Sequence, residues 1–195
     1  MLCDWCVMIR VPCVAAAASV PELRPVDEAD NPEYSVPEKL HPVGVPAWGC
    51  FSAGGPGYMA LFEGSLEAAR LRYILRDYLI PSYREQFPDA PIRWLLWDND
   101  PGRHMSRLVK NFLHSQAVTC LDFPPYSPDL NPIENLWRDM NLRMQDSLAD
   151  TKEEMEEVVK QVWAKTTVEQ CRKLARSMPQ RIAQVIEREG AYTDY

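Results

Sequence analysis

The chain has 195 residues, 46% of them hydrophobic and 25% charged, a composition ordinary for a soluble globular protein with one buried core. Its formal net charge is −7 and its pI about 5.0. Stand-alone nucleic-acid-binding modules are usually basic, so this balance argues against strong non-specific binding by the chain alone. It leaves room for a cluster of acids neutralised by bound metal.

Seventeen prolines punctuate the chain, so long uninterrupted helices should be few. Residues 1–45 read as irregular and proline-rich, with at most a remnant of the first strands. Cys3 and Cys6 have C-x-x-C spacing, but no second pair or nearby His completes a zinc set, so the cysteines read as reduced thiols. VPCVAAAASV (11–20) is apolar, yet Asp4 precedes Arg10 and Pro12 breaks the run, so a secretory signal is not expected. No run of about 18 apolar residues occurs, so no membrane span is expected.

VPAWGCFS (45–52) reads as a strand, AGGPG (53–57) as a turn and YMALFEG (58–64) as the returning strand. Ser65 is placed to cap a helix over 66–80, ending near Pro81. IRWLLWD (92–98) is a continuous apolar run, the mark of a strand buried on both faces. A short helix over 106–114 and a second buried strand, AVTCLDF (117–123), follow. In PPYSPDLNP (124–132) turn residues dominate, with Asn131 a good N-cap and Pro132 suited to the first helical position. Thr151 and Glu154 form a capping-box pattern opening a helix to about Lys165. The last helical region, 168–188, is expected to break at Pro179 and end at Gly190. Strands alternating with helices, then helices alone, suit an α/β sheet with a helical flank.

Two acids stand out. Asp98 ends the buried strand, the end at which open α/β sheets place their sites, and a carboxylate there needs metal or donors around it. Glu134 falls in the first turn of the helix that Asn131 and Pro132 open. A helix dipole alone accounts for an acid at that place, and Glu134 could simply serve as capping partner to Asn131.

The text around these acids adds more. WDNDPGRH (97–104) and PPYSPDLNPIENLW (124–137) closely resemble the second and third acidic motifs of the mariner superfamily of DDE or DDD transposases. VPAWGCFSAGGPGYMALFEGSL, RYILRDYLIP and SMPQRIAQVIEREGAYTDY resemble that family's hairpin, following helix and ending, so the likeness runs from about residue 24 to 195. The resemblance implies an RNase H-like fold, a mixed five-stranded sheet flanked by helices. The catalytic core would span 46–148, with 149–195 as a helical flank of the same domain.

It also implies a function: metal-dependent DNA cleavage and strand transfer in cut-and-paste transposition. Asp98 becomes the second acid and Glu134 the third, with 35 residues between them. For the first acid there are two candidates. Asp4, 44 residues before Trp48, is preferred to Asp27, whose surroundings RPVDEADNPEY resemble the segment after the family's first motif. Asp4, Asp98 and Glu134 would hold two Mg²⁺ ions, with Mn²⁺ as substitute, since magnesium takes hard oxygen ligands and keeps waters and phosphate oxygens. His104, Arg103, Arg107 and Lys110 are candidate contacts to DNA phosphate, although a solvated helix face is the commoner explanation for the three basic residues and loop packing accounts equally for His104. Asn99 and Asp100 would shape the turn after the strand, and Asp129 would cap its own loop. Trp94, Trp97 and Trp137 read as packing residues. The implied partners are transposon-end and target DNA and a second copy of the chain in a homodimer, and the implied location is the nucleus. The alternative is an inactive relic or domesticated nucleic-acid-binding protein. No segment resembles the paired helix-turn-helix region of the family.

Overall fold

The computed structural model describes residues 6–10, 14–15, 43–89, 95–96, 106–118, 120, 124, 127–145 and 147–195, with 6–10, 14–15 and 95–96 described by their backbone alone. Among the described residues, the central sheet has four strands in the order β5-β4-β1-β6. They are β1 (Cys6–Arg10), β4 (Ala47–Ser52), β5 (Gly55–Leu61) and β6 (Leu95–Leu96). A separate ladder joins β2 (Val14–Ala15) to β3 (Gly44–Val45). Strand β1 runs antiparallel to β4, with Val7 opposite Phe51, and parallel to β6, with Cys6 opposite Leu95. The segment expected to be irregular therefore contributes three short strands, β1, β2 and β3, and the apolar run CVMI of β1 adds to the edge of β4.

All of β4 is buried, as its aromatic and small residues suggest. The hairpin turn is tighter than expected: β5 resumes at Gly55, so only Ala53 and Gly54 lie between the strands. Gly55 has φ 129°, a conformation that disfavours any side chain. The register between β4 and β5 slips by one residue between Gly49 and Phe51, a β-bulge.

The helix after the hairpin differs from expectation at both ends. It opens at Ala68 with Glu67 in the N-cap place and no side-chain cap, and Ser65 instead offers its carbonyl to Arg70 at 2.6 Å. It also passes through Pro81: α1 (Ala68–Ile74) runs into a π-helical segment (Leu75–Leu79) and on into α2 (Ile80–Gln86). The wide turn, in which the Ile80 N–H reaches the Leu75 carbonyl, adjusts the ladder just ahead of the proline ring, where a proline would otherwise crowd the preceding turn. Ser82 then donates to the Tyr78 carbonyl and accepts from the Tyr58 N–H at 2.7 Å, tying this helix to β5.

Helix α3 (Arg107–Ser115) starts where expected, with the Ser106 hydroxyl accepting from the Val109 N–H. The expected strand over 117–123 is described only in part, where Cys120 forms a single bridge. Helices α4 (Ile133–Met144), α5 (Lys152–Ala164) and α6 (Val168–Glu187) complete the chain. Both α5 and α6 open with complete capping boxes, Thr151 with Glu154 and Thr167 with Gln170. Helix α6 is not broken at Pro179. Cys171, Ala175, Met178 and Arg181 bury its inner face, and that anchoring on both sides of the proline outweighs one missing backbone bond. Gly190, at φ 94°, follows its end.

Two apolar clusters flank the sheet. One joins Phe51 of β4 to Ile133, Leu136, Trp137 and Met140 of α4, Met155 and Trp163 of α5, and Cys171 and Met178 of α6. The other joins Trp48 and Cys50 to Leu71, Ile74, Leu79 and Tyr83 of the long helix and Val109 and Leu113 of α3. No helix among the described residues is long and apolar enough to cross a membrane. Cys50 and Cys171 are buried free thiols and Cys120 is half-buried.

Candidate active site at the start of helix α4

The SPDLNP text folds as a 3₁₀ turn over Pro128–Leu130, followed by extended Asn131 and helical Pro132. Five of these six residues are prolines or turn formers, which leaves few other conformations open. Leu130, Asn131, Pro132 and Ile133 are all buried, so the turn is pressed into the molecule rather than draped over it. Ile133, Leu136, Trp137, Met140 and Met144 then fix α4 in the core, against β1 and β2.

Glu134 is half-buried in the first turn of α4, and its N–H donates to the Asn131 carbonyl at 3.1 Å. A carboxylate there meets the positive end of the helix dipole. Asn131 does not act as the expected N-cap. Pro132 occupies that place without a side-chain bond, and the Asn131 amide points its Nδ2 at Glu134 Oε1, 3.5 Å away. Asn131 is fully buried, and its Oδ1 has no hydrogen-bond partner among the described residues. An orphaned buried amide oxygen beside a carboxylate is costly unless a further donor or cation completes the site.

Asp129 also departs from expectation. Its carboxylate accepts from the Thr193 N–H at 2.8 Å, so it holds the C-terminal tail rather than capping its own loop. Its carbonyl accepts from Arg181. That arginine, buried on the inner face of α6, also donates to Asn135 Oδ1 at 2.7 Å. Burial pulls the Arg181 pKa below the usual guanidinium range, and neighbouring Tyr195 and Asp129 oppose that pull. Sequence reasoning passed over Arg181 and Asn135. The available signal was spacing: residues 171, 175, 178 and 181 form one helical stripe, and a charge on an apolar stripe needs partners.

Asp4, Asp98, His104 and Arg103 lie outside the described residues, as do Asp27, Asn99, Asp100, Trp94 and Trp97. In sequence, Asp4 stands two residues before β1 and Asp98 two residues after β6, and those two strands pair in parallel with Cys6 opposite Leu95, so the described register does not by itself bring the two positions together. Arg107 and Lys110 are exposed on α3, whose Val109 and Leu113 face inward. Trp137 is a packing residue, stacked on Trp163. Among the described residues, no three His, Cys, Asp or Glu side chains converge as a metal-binding group.

Comparison with known proteins gives the family. Residues 22–156 match the family described as DDE superfamily endonuclease. The transposase of transposable element Tcb1 from Caenorhabditis briggsae is 30% identical over 174 residues, 88% of this chain and 62% of the relative. That of Tc1 from Caenorhabditis elegans is 30% identical over 173 residues, with the same coverage. The chain thus spans about 62% of the length of these relatives. In structure, the Mos1 mariner paired-end complex with Mn matches with a TM-score of 0.81 and 19% identity, over 100% of this chain and 58% of that one. The Mos1 transposase catalytic domain with raltegravir and Mn matches at 0.74 and 18% identity, over 100% of this chain and 86% of that one. The mixed α/β architecture is therefore that of a mariner-type catalytic domain, and the chain belongs to the DDE superfamily endonuclease family.

Proposed function

We propose that this chain is the catalytic domain of a cut-and-paste DNA transposase, cleaving and transferring phosphodiesters at carboxylate-held divalent cations. The observation that carries the reading is the start of α4. A half-buried carboxylate, Glu134, and a buried amide oxygen, Asn131 Oδ1, which has no hydrogen-bond partner among the described residues, stand in one rigid turn. Both are hard oxygen donors, which fit Mg²⁺ or Mn²⁺ and not a thiolate-seeking metal.

Asp98 and Glu134 would hold the cations, with Asp4 as third acid. When bound, two such ions stabilise the attacking and leaving oxygens of an in-line phosphoryl displacement. The protein's part is orientation: the buried proline turn and the core face of α4 hold Glu134 in place, so the carboxylate need not reorganise during reaction. Arg107 and Lys110 lie on an exposed helix face, suited with His104 and Arg103 to contact a phosphate backbone. We read the domain as RNase H-like, with core 46–148, flank 149–195, and the segment 117–123 completing a five-stranded sheet. The Mos1 structures include a paired-end complex with a transposon end, which supports transposon-end and target DNA as partners and a homodimer as the working form. A genomic DNA substrate puts the protein in the nucleus, which imaging of the tagged chain tests.

The activity test is nicking of supercoiled plasmid DNA by the full chain in Mg²⁺ or Mn²⁺. Asp98→Ala and Glu134→Ala are expected to lose about 100-fold or more, the scale of removing one preorganised charge-stabilising group. Equal nicking by all three proteins would remove the assigned roles.

A further inference from the structure

Arg181 stands where the apolar stripe of α6 calls for a hydrophobic residue. Its guanidinium is fully buried, and each of its three nitrogens is committed to a different residue. Nε donates to Ser177 Oγ at 2.8 Å, Nη1 to the Asp129 carbonyl at 2.5 Å and Nη2 to Asn135 Oδ1 at 2.7 Å. The Tyr195 ring lies 4.1 Å over the guanidinium carbon. All three acceptors are neutral, so this is not an ion pair that offsets its own desolvation. A methionine or leucine would pack α6 without that cost. What the planar fork does, and an apolar side chain does not, is to hold several acceptors in fixed mutual geometry.

Two of those acceptors bracket the proposed acid. Asp129 lies in the 3₁₀ turn before it, and Asn135 is the residue after it. The tail closes over the same point, with Tyr195 capping the guanidinium and the Thr193 N–H held by Asp129.

We propose that Arg181 is a positioning residue for Glu134, clamping the 3₁₀ turn to the first turn of α4 so that the carboxylate is presented in one geometry. This rests on the reading of Glu134 as a cation-holding acid. It makes a selective demand: Mg²⁺ requires near-ideal octahedral geometry, whereas Ca²⁺ accepts irregular coordination. Loosening the clamp therefore weakens Mg²⁺ more than Ca²⁺, a split that loss of general stability does not produce.

The experiment is calorimetric binding of Mg²⁺ and of Ca²⁺ to the full 195-residue chain and its Arg181→Met, Asn135→Ala and Glu134→Gln variants, with thermal unfolding in parallel. Arg181→Met is expected to bind Mg²⁺ about tenfold more weakly, the usual scale for residues that orient metal ligands, with a smaller change for Ca²⁺. Asn135→Ala, which leaves the arginine in place, shifts Mg²⁺ in the same direction and decides the matter if Arg181→Met does not fold. Unchanged Mg²⁺ affinity in the folded clamp variants, or equal losses for both cations, overturns the proposal. Weakened binding in Glu134→Gln with wild-type binding in the clamp variants sinks the positioning role alone. Wild-type binding in Glu134→Gln sinks the reading of Glu134 itself.

Discussion

Trp137 of α4 stacks on Trp163 of α5, with ring centroids 5.4 Å apart and planes inclined by 23°, and both rings close over Gly49 of β4. A Cβ at Gly49 would lie 2.9 Å from the Trp163 ring and 3.0 Å from that of Trp137. Neither buried ring can retreat without unstacking the other. Gly49→Ala is therefore expected to destabilise the chain by about 1–3 kcal/mol, the cost of overpacking a filled core. Urea unfolding of the purified variant measures it, and an unchanged midpoint would mean the rings yield freely.

The two tryptophans differ in what their N–H groups do. Trp163 Nε1 donates to the Gly57 carbonyl at 3.0 Å, while the buried Trp137 Nε1 has no partner among the described residues. Trp163→Phe therefore leaves a carbonyl unsatisfied, and Trp137→Phe removes a donor that has no partner among the described residues. The first is expected to cost about 1 kcal/mol more than the second. Denaturant titration of both variants side by side checks this, and equal losses would contradict it.

Much of this packing was legible in the sequence. WGCFS and its return strand, the capping box at Thr151 and the helix opened by the SPDLNP turn follow local rules of alternation, capping and helical period. Pro81 and Pro179 misled, because the local rule that proline ends a helix was overridden by tertiary contacts, and at Pro81 by a π turn that makes room. The site was half legible. Glu134 could be placed on a helix start from SPDLNPIEN alone, but Asn131 turned its amide to the carboxylate, and Asp129 turned to a tail 64 residues away. No local pattern carries such long-range partners. Arg181 was hidden for the same reason, since two of its three acceptors lie 46 and 52 residues back in the chain.

Cys171 gives a pH dependence. Burial raises its pKa from 9.0 to about 12, so the folded state keeps the proton while the unfolded chain gives it up near 9. The folded pKa lies above the unfolded value, so the contribution is fully present below pH 9 and is lost as pH rises from there towards 12. Unfolding followed from pH 8 to 10.5 under reducing conditions should show stability falling by up to about 1.4 kcal/mol per pH unit from this group. Cys171→Ala should remove that part of the slope. Parallel curves for the two proteins would show that the thiol ionises without cost in the fold.

The central claim is that residues 98 and 134 meet around a divalent cation. A crystal of the full chain grown or soaked with Mn²⁺, with the metal located by anomalous scattering, addresses it directly. The account predicts a Mn²⁺ ion bound by carboxylate oxygens of both Asp98 and Glu134, at about 2.0–2.2 Å as for small hard cations. Ordered carboxylates facing different sides of the sheet, with no ion between them in saturating Mn²⁺, would contradict it.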